Sequence, residues 1–218
     1  MTRLEIATFC AASVGLQDNI TRDQAAEFVA LRWKMVWDLR MWKQALVTHS
    51  QTIAAGTQEA TLTDTTLDQI IAARWGDSRQ LEGVAPDVAW RTDPGAWSET
   101  GALVAYTQRP KDSSGRIVLR FLRAPDVQQD LLVLAKRKCP ELTLDTDAPT
   151  ISGADQCLIA YTTGDLLRWL RQFSKAQLLF EEAKAHLDQM IQIDDHQSAG
   201  AQRLTPDGTD YPGAVPWR

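Results

Sequence analysis

The chain has 218 residues, of which 44% are hydrophobic and 23% are charged, and its net charge is −5. A chain of this length can bury about 70% of its unfolded surface, so it can fold without disulfides or structural metals. The acidic balance excludes the basic surface by which proteins bind nucleic acid through its phosphates.

A long first helix is predicted from Thr21 to Ile53, where no Gly or Pro interrupts the apolar periodicity. One apolar face of this helix comprises Phe28, Leu31, Met35, Leu39, Trp42 and Leu46. A second apolar face comprises Val29, Trp33, Val36 and Trp37. A helix beside a single core needs one apolar stripe. Two interpretations follow: a central helix surrounded by its own domain, or a helix whose second face contacts a neighbouring subunit.

The middle of the chain is predicted to form an antiparallel sheet. Its expected strands are Leu67–Trp75, Gln80–Val84, Ala102–Tyr106, Arg116–Leu122 and Asp130–Arg137. Residues 111–115 have the composition of a hairpin loop. Ile117, Leu119 and Phe121 alternate with Arg120, as in a strand that is buried on one side.

A second long helix is predicted from Ala154 to Gln192, followed by a polar stretch with three prolines. We therefore expect an α+β fold: a bundle of long N- and C-terminal helices, an inserted antiparallel β-sheet and an extended C-terminal arm. The expected divisions are an N-terminal helical part, a β-region, a C-terminal helix and the arm, over residues 1–56, 57–140, 141–194 and 195–218.

The triplet Asp145-Thr146-Asp147 has the spacing of two carboxylates that can chelate a divalent cation. Such a site in a nucleotide-sugar enzyme needs a parallel βαβ framework upstream, and the upstream segments are hairpins. Ser152 and Asp155 match the spacing of a capping box at the second helix. We therefore interpret the triplet as a structural approach to that helix and expect no metal there.

No recognisable catalytic motif occurs in the chain. His49, His186 and His196 are scattered without paired ligand spacing. The cysteines Cys10, Cys139 and Cys157 have no CxxC or Cys/His spacing, which favours free buried thiols in a reducing compartment. We expect no catalytic, metal-binding or cofactor-binding residue and no enzymatic activity. Because no apolar run approaches the ~20 residues that cross a bilayer, we expect a soluble protein made in the cytoplasm, without membrane contact.

The order of these parts resembles that of the head-to-tail adaptor proteins of tailed bacteriophages, also called connectors or tail tubular protein A-like proteins. The similar segments are "RWKMVWDLRMW" (residues 32–42), "ARWGDSRQL" (73–81), "RIVLRFLRAPD" (116–126) and "LTLDTDAPTISGADQCLIAYTTGDLL" (142–167). They match an aromatic-rich first helix, a strand–turn–strand, a strand ending in a Pro turn, and an acidic loop entering the last helix. Ser152 stands where many relatives have Pro.

The resemblance implies a virion structural protein in the phage neck, made in the host cytoplasm. It implies a twelvefold ring of identical chains that binds the portal protein above and the next neck or tail protein below. Genomic DNA would pass through its lumen without sequence-specific binding, and no cofactor is implied. The alternatives are another ring of the neck or tail, such as a stopper or the start of the tail tube, and a small soluble enzyme or ligand-binding module.

Tryptophan and tyrosine are enriched at protein interfaces. On this basis the predicted subunit or portal interface comprises Trp33, Trp37, Trp42, Tyr211 and Trp217. In the alternative interpretation, Trp33, Trp37, Trp42 and Trp169 fill one core within the monomer.

Overall fold

The chain is a mixed α+β protein made of two compact units, seen in a computed structural model. The structure describes residues 1–76, 79–85, 87–88, 91 and 100–202, and residues 79 and 197–202 by their backbone alone. The first unit combines Met1–Trp42 with the chain from Glu141 onward, and the second is Lys43–Pro140. The β-rich unit is therefore inserted in sequence between two helical segments.

Within the described residues, the helical unit contains four helices. They are α1 (Arg3–Ser13), α2 (Asn19–Asp38), α3 (Ala154–Trp169) and α4 (Phe173–Gln202). Helix α1 packs on α2 and α3, α2 also packs on α3, and α3 packs on α4. Asp18 caps the N-terminus of α2, where its carboxylate accepts a hydrogen bond from the Thr21 amide at 2.8 Å.

The predicted single helix from Thr21 to Ile53 is wrong, because α2 ends at Asp38. The indole Nε1 of Trp42 donates to the Val36 carbonyl at 2.8 Å, which satisfies one of the backbone oxygens left free at the helix end. The residues that follow include several β-branched side chains, which favour a strand. Residues 43–56 consequently lie in the β-rich unit, whereas the sequence prediction placed them with the helices.

The predicted second helix is divided by a sharp turn at Arg171, which has a left-handed φ of 60°. Around it, the Gln172 amide donates to the Leu167 carbonyl at 2.8 Å, a bond typical of a helix end. Helix α4 then runs antiparallel to α3. Gly164 of α3 makes this close approach possible, since a Cβ there would lie 2.8 Å from the Phe180 ring.

The arm was predicted to begin at residue 195, but α4 continues to Gln202. The first proline after Asp195 is Pro206, so no proline interrupts the helix between Asp195 and Gln202. The rest of the predicted arm, with Tyr211 and Trp217, lies outside the described residues.

The inserted unit contains a curled, mostly antiparallel sheet. Its strands are β1 (Leu46–Ile53), β2 (Glu59–Thr61), β3 (Leu67–Trp75), β4 (Arg79–Gly83), β6 (Ala105–Arg109), β7 (Val118–Phe121) and β9 (Gln129–Arg137). They lie in the order β1-β9-β3-β4-β6-β7-β2. A short pair, β5 (Thr100–Gly101) and β8 (Ala124–Pro125), is parallel, as is the contact between β4 and β6. The predicted strands from 67 to 75 and from 130 to 137 are confirmed, as is the hairpin of β6 and β7.

One side of the curled sheet encloses an apolar core. The predicted inward residues Ile117, Leu119 and Phe121 are fully buried, which confirms the alternation in this segment. The ring of Phe121 meets Trp75 edge-on, with centroids 6.5 Å apart.

The two ends of the sheet meet through the side chain of Gln51. Its Nε2 donates to the Thr61 carbonyl of β2 at 3.0 Å, and its Oε1 accepts from the Thr63 amide at 2.9 Å. A side-chain amide can imitate the donor and acceptor of one backbone unit. Gln51 of β1 therefore joins the first and last strands of the sheet order.

We predict that Gln51→Met lowers the free energy of unfolding by about 1 kcal/mol, since the part-buried Thr61 carbonyl and the exposed Thr63 amide would both lose their partner. Urea unfolding measures this loss, and Gln80→Met is the matched control because Gln80 is exposed on β4. Equal effects of the two substitutions would contradict the proposed role of Gln51.

Candidate functional site

The inner face of α2 is part of the core of the helical unit. Val29, Trp33, Val36 and Trp37 are at most 2% exposed, and the Trp33 and Trp37 rings lie 5.5 Å apart. Trp42 is 1% exposed. Trp33, Trp37 and Trp42 were predicted to lie at an interface, but almost none of their surface is exposed to a partner. This burial is what the alternative interpretation expects, in which they fill a core within the monomer. Trp169, the fourth in that interpretation, is half-exposed.

The outer face of α2 carries Leu31, Met35 and Leu39, with exposures of 64%, 37% and 54%. We call these three residues the outer stripe. They are spaced by four residues, so they share one helix face, and they extend over about 12 Å of helix. The helix-cap residue Leu39 keeps helical geometry, which holds it in line with the other two. The outer stripe comprises three of the six residues of the first apolar face predicted from the sequence. Of the other three, Phe28 is half-buried on α2, and Trp42 and Leu46 lie beyond the helix.

An ion pair between α2 and α3 lies beside the outer stripe. The Arg32 guanidinium binds Asp165 with two hydrogen bonds, Nε to Oδ2 at 2.6 Å and Nη2 to Oδ1 at 2.7 Å. The same guanidinium lies over the rings of Tyr161 and Phe180, at 4.8 and 5.5 Å from their centroids. The hydrogen bonds to Asp165 raise the pKa of Arg32 above its usual value. This set of contacts holds α2, α3 and α4 together.

Arg32 also connects the ion pair with the outer stripe. Its Nη1 lies 3.3 Å from the Met35 sulfur, which accepts the contact weakly. The position of Met35 therefore depends on the same guanidinium that binds Asp165.

A second basic residue joins the end of α2 to α4. Arg40 Nη2 lies 2.6 Å from Asp195 and 3.2 Å from Asp194, and its guanidinium lies over the Trp42 ring at 5.4 Å. Asp194 is buried, whereas Asp195 is exposed. The hydrogen bond to Asp195 raises the pKa of Arg40. These ion pairs join the segment that follows α2 to the C-terminal part of α4.

The acidic triplet makes an ion pair and backbone hydrogen bonds with residues at the start of α1. The Asp147 carboxylate accepts hydrogen bonds from the amides of Thr143 and Leu144 at 2.8 and 2.7 Å. Asp145 lies 3.6 Å from the Arg3 guanidinium, and the Arg3 amide donates to the Asp147 carbonyl at 2.6 Å. Backbone amides therefore satisfy the Asp147 carboxylate.

The capping box predicted at Ser152 and Asp155 is wrong. Gly153 is the N-cap of α3, with a φ of 81° and no side-chain cap bond. Glycine adopts this left-handed conformation without strain, so the helix begins without a side-chain cap. The Asp155 carboxylate instead lies 2.9 Å from the amino group of Met1.

The polar cleft beside Arg3 has a volume of about 350 Å³ and is lined also by Arg22, Asp23, Glu27 and Asp145. Its arginines already lie near carboxylates, with Arg3 3.6 Å from Glu27 and Arg22 3.9 Å from Asp23. Elsewhere, His49 lies 3.5 Å from the Thr63 hydroxyl and His186 lies 3.7 Å from Glu182, while His196 is exposed. Within the described ranges, no group of three or more His, Cys, Asp or Glu side chains is arranged to hold a metal ion.

Two of the thiols are buried in the helical unit. Burial raises the pKa of Cys10 to about 11 and that of Cys157 to about 12. Both therefore stay protonated near neutral pH, and the thiolate is the nucleophilic form. Cys139 is half-buried.

No helix in the described part of the chain combines the length and apolar character that crossing a bilayer requires. A comparison of the sequence with protein-family models and with curated proteins found no match. The resemblance to phage adaptors therefore stays a prediction.

We predict that Asp165→Asn lowers the free energy of unfolding by about 2 kcal/mol, because it removes the negative charge and one of the two oxygens that accept the part-buried hydrogen bonds from Arg32. Asp195→Asn is the matched control, and we expect it to cost under about 1 kcal/mol because the Asp195 carboxylate is mostly exposed. Urea unfolding measures the free energy of unfolding of both variants. A larger loss for Asp195→Asn than for Asp165→Asn would contradict the prediction.

Proposed function

We propose that this chain is a virion structural protein, a head-to-tail adaptor that forms a closed ring beneath the portal of a tailed phage. The observation that carries the proposal is the outer stripe of α2. The resemblance of the sequence segments to the adaptor family supports it independently of the coordinates. The ring would be twelvefold, bind the portal and the next neck or tail protein, and let DNA pass through its lumen.

The outer stripe supports a role in association because α2 already fills the core with its other face. Three apolar side chains in line on one exposed helix face are typical of a surface that contacts another protein. In a ring, each subunit uses two different surfaces to contact its neighbours, and such contacts close when the rotation between subunits closes. The outer stripe would supply one of these two surfaces.

The finer architecture is part of the same proposal. The helices of the first unit would act as the bundle that meets the portal. The C-terminal residues, with Tyr211 and Trp217, would form an extended arm that contacts another chain in the assembled particle. Short extended segments with aromatic anchors gain affinity when each aromatic side chain becomes buried on a partner.

We predict that the double substitution Leu31→Ser/Leu39→Ser leaves the fold intact but prevents ring formation. Both side chains are exposed in the folded subunit, so their removal creates no cavity in the core. Light scattering and negative-stain electron microscopy of the protein, alone and mixed with the portal protein, measure the outcome.

Leu178→Ser is the matched control, because Leu178 is 67% exposed on α4 and lies outside the outer stripe. The wild-type protein and this control should form closed rings. A wild-type chain that stays monomeric at all concentrations, with and without portal, would contradict the proposed function. Rings that bind a tail component but not the portal would place the protein lower in the neck.

A further inference from the structure

We infer that a small cleft beside strand β6 binds an extended, uncharged peptide segment, which pairs with the backbone of Gln108. The cleft has a volume of about 270 Å³, and the described residues that line it are Gly83, Val84, Ala85, Tyr106 and Gln108. It lies within the β-rich unit and contains no residue of the outer stripe. The inference therefore goes beyond the proposed function and does not depend on ring formation.

The cleft lies where the neighbouring strands β4 and β6 separate. Their parallel pairing covers only two residues of each strand. In the described part of the chain, the last bond between them runs from the Val84 amide to the Tyr106 carbonyl, at 2.9 Å. Strand β4 ends at Gly83, whereas β6 continues to Arg109. The end of β6 consequently has a free edge on the side where β4 lay.

The backbone of Gln108 points toward this free edge. On the other side of β6, the Leu122 amide donates to the Ala105 carbonyl at 3.2 Å. Because backbone groups alternate in direction along a strand, Tyr106 and Gln108 direct theirs away from β7. The bond from Val84 to the Tyr106 carbonyl agrees with this direction. Among the described residues, none bonds the backbone N–H or C=O of Gln108.

Two polar side chains in the cleft also have no hydrogen-bond partner within the described ranges. They belong to Tyr106, which is 6% exposed, and to Gln108, which is half-buried. Residues two apart on a strand share one face, so both side chains border the same space. Burial raises the pKa of the Tyr106 phenol, so its hydroxyl keeps its proton at neutral pH and can donate. Since buried polar groups normally have partners, these groups favour a ligand that supplies them.

An extended peptide has the groups that the cleft requires. Its C=O can accept from the Gln108 N–H and its N–H can donate to the Gln108 C=O, as when a strand is added to a sheet edge. A second peptide carbonyl can accept from the Tyr106 hydroxyl. No charged side chain is among the described lining residues, so a neutral segment is favoured over an ion, whose desolvation would be uncompensated.

The size of the cleft fits a short stretch of peptide. Pockets for drug-sized molecules begin at about 300 Å³, slightly above the volume found here. Gly83 keeps the space beside the phenol open, since a Cβ at this position would lie 3.2 Å from the Tyr106 hydroxyl. A larger side chain at position 83 would therefore restrict access to the hydroxyl.

Amide NMR of the isotope-labelled full chain tests the inference, with N-acetyl-dialanine-N′-methylamide as the peptide. We expect a saturable downfield shift of the Gln108 amide proton, because this amide gains an acceptor. An ester analogue, in which oxygen replaces the central N–H of the peptide, should bind about tenfold more weakly, because the Gln108 carbonyl loses its donor.

Tyr106→Phe should weaken peptide binding about fivefold, since it removes one hydrogen-bonding group that has no partner in the described part of the fold. Tyr161→Phe is the matched control, because Tyr161 belongs to the helical unit, and it should leave the affinity unchanged. Gly83→Val should abolish the shift by crowding the Tyr106 hydroxyl.

Three results would overturn the inference. The first is the absence of a saturable shift at Gln108. The second is equal affinity for the amide and ester peptides, or equal affinity of the wild-type protein and Tyr106→Phe. The third is a Gln108 shift that appears on concentrating the protein without peptide, because a second copy of the chain would then be the occupant. These measurements do not detect rings, so failure here is distinguishable from failure of the proposed function.

Discussion

The burial of Trp33 and Trp37 on one side of α2 is the constraint on which the helical unit depends. Large aromatic side chains contribute more buried area than any others, so the face that carries them becomes the inner one. Once that face is fixed, the geometry of the helix places Leu31, Met35 and Leu39 outside. The exposed outer stripe is thus a consequence of how the core is filled. One face of α2 packs in the core, and the other face stays exposed.

Polar contacts then determine how precisely this helix is held. The guanidinium of Arg32 joins α2 to Asp165 of α3 and lies against two aromatic rings, while Arg40 joins the end of α2 to α4. The side chains of Arg32 and Arg40 are only 20% and 26% exposed. A surface that must match a partner needs such fixed positions, because ordering side chains on binding costs free energy. The β-rich unit is organised separately, and the amide of Gln51 joins its first and last strands.

Much of the β-rich unit could be predicted from the sequence, because alternation and turn composition are local properties. The start of α3 at Ala154 was also predicted, but the C-terminal ends of α2 and α3 could not be. Neither the indole of Trp42 at the end of α2 nor the left-handed Arg171 between α3 and α4 follows from Gly or Pro punctuation. Both faces of α2 are apolar, so periodicity alone left open which of them is buried. The bond from Gln51 to the far end of the sheet depends on the curl of the whole sheet and has no local pattern.

One face of α2 packs in the core of the helical unit, and we propose that the other face contacts a partner. A cryo-electron microscopy reconstruction of the protein assembled with portal tests this most directly. The account predicts a closed ring in which Leu31, Met35 and Leu39 contact a neighbouring chain while Trp33 and Trp37 stay inside their own subunit. A ring in which the outer stripe faces solvent, or in which Trp33 packs between subunits, would contradict it.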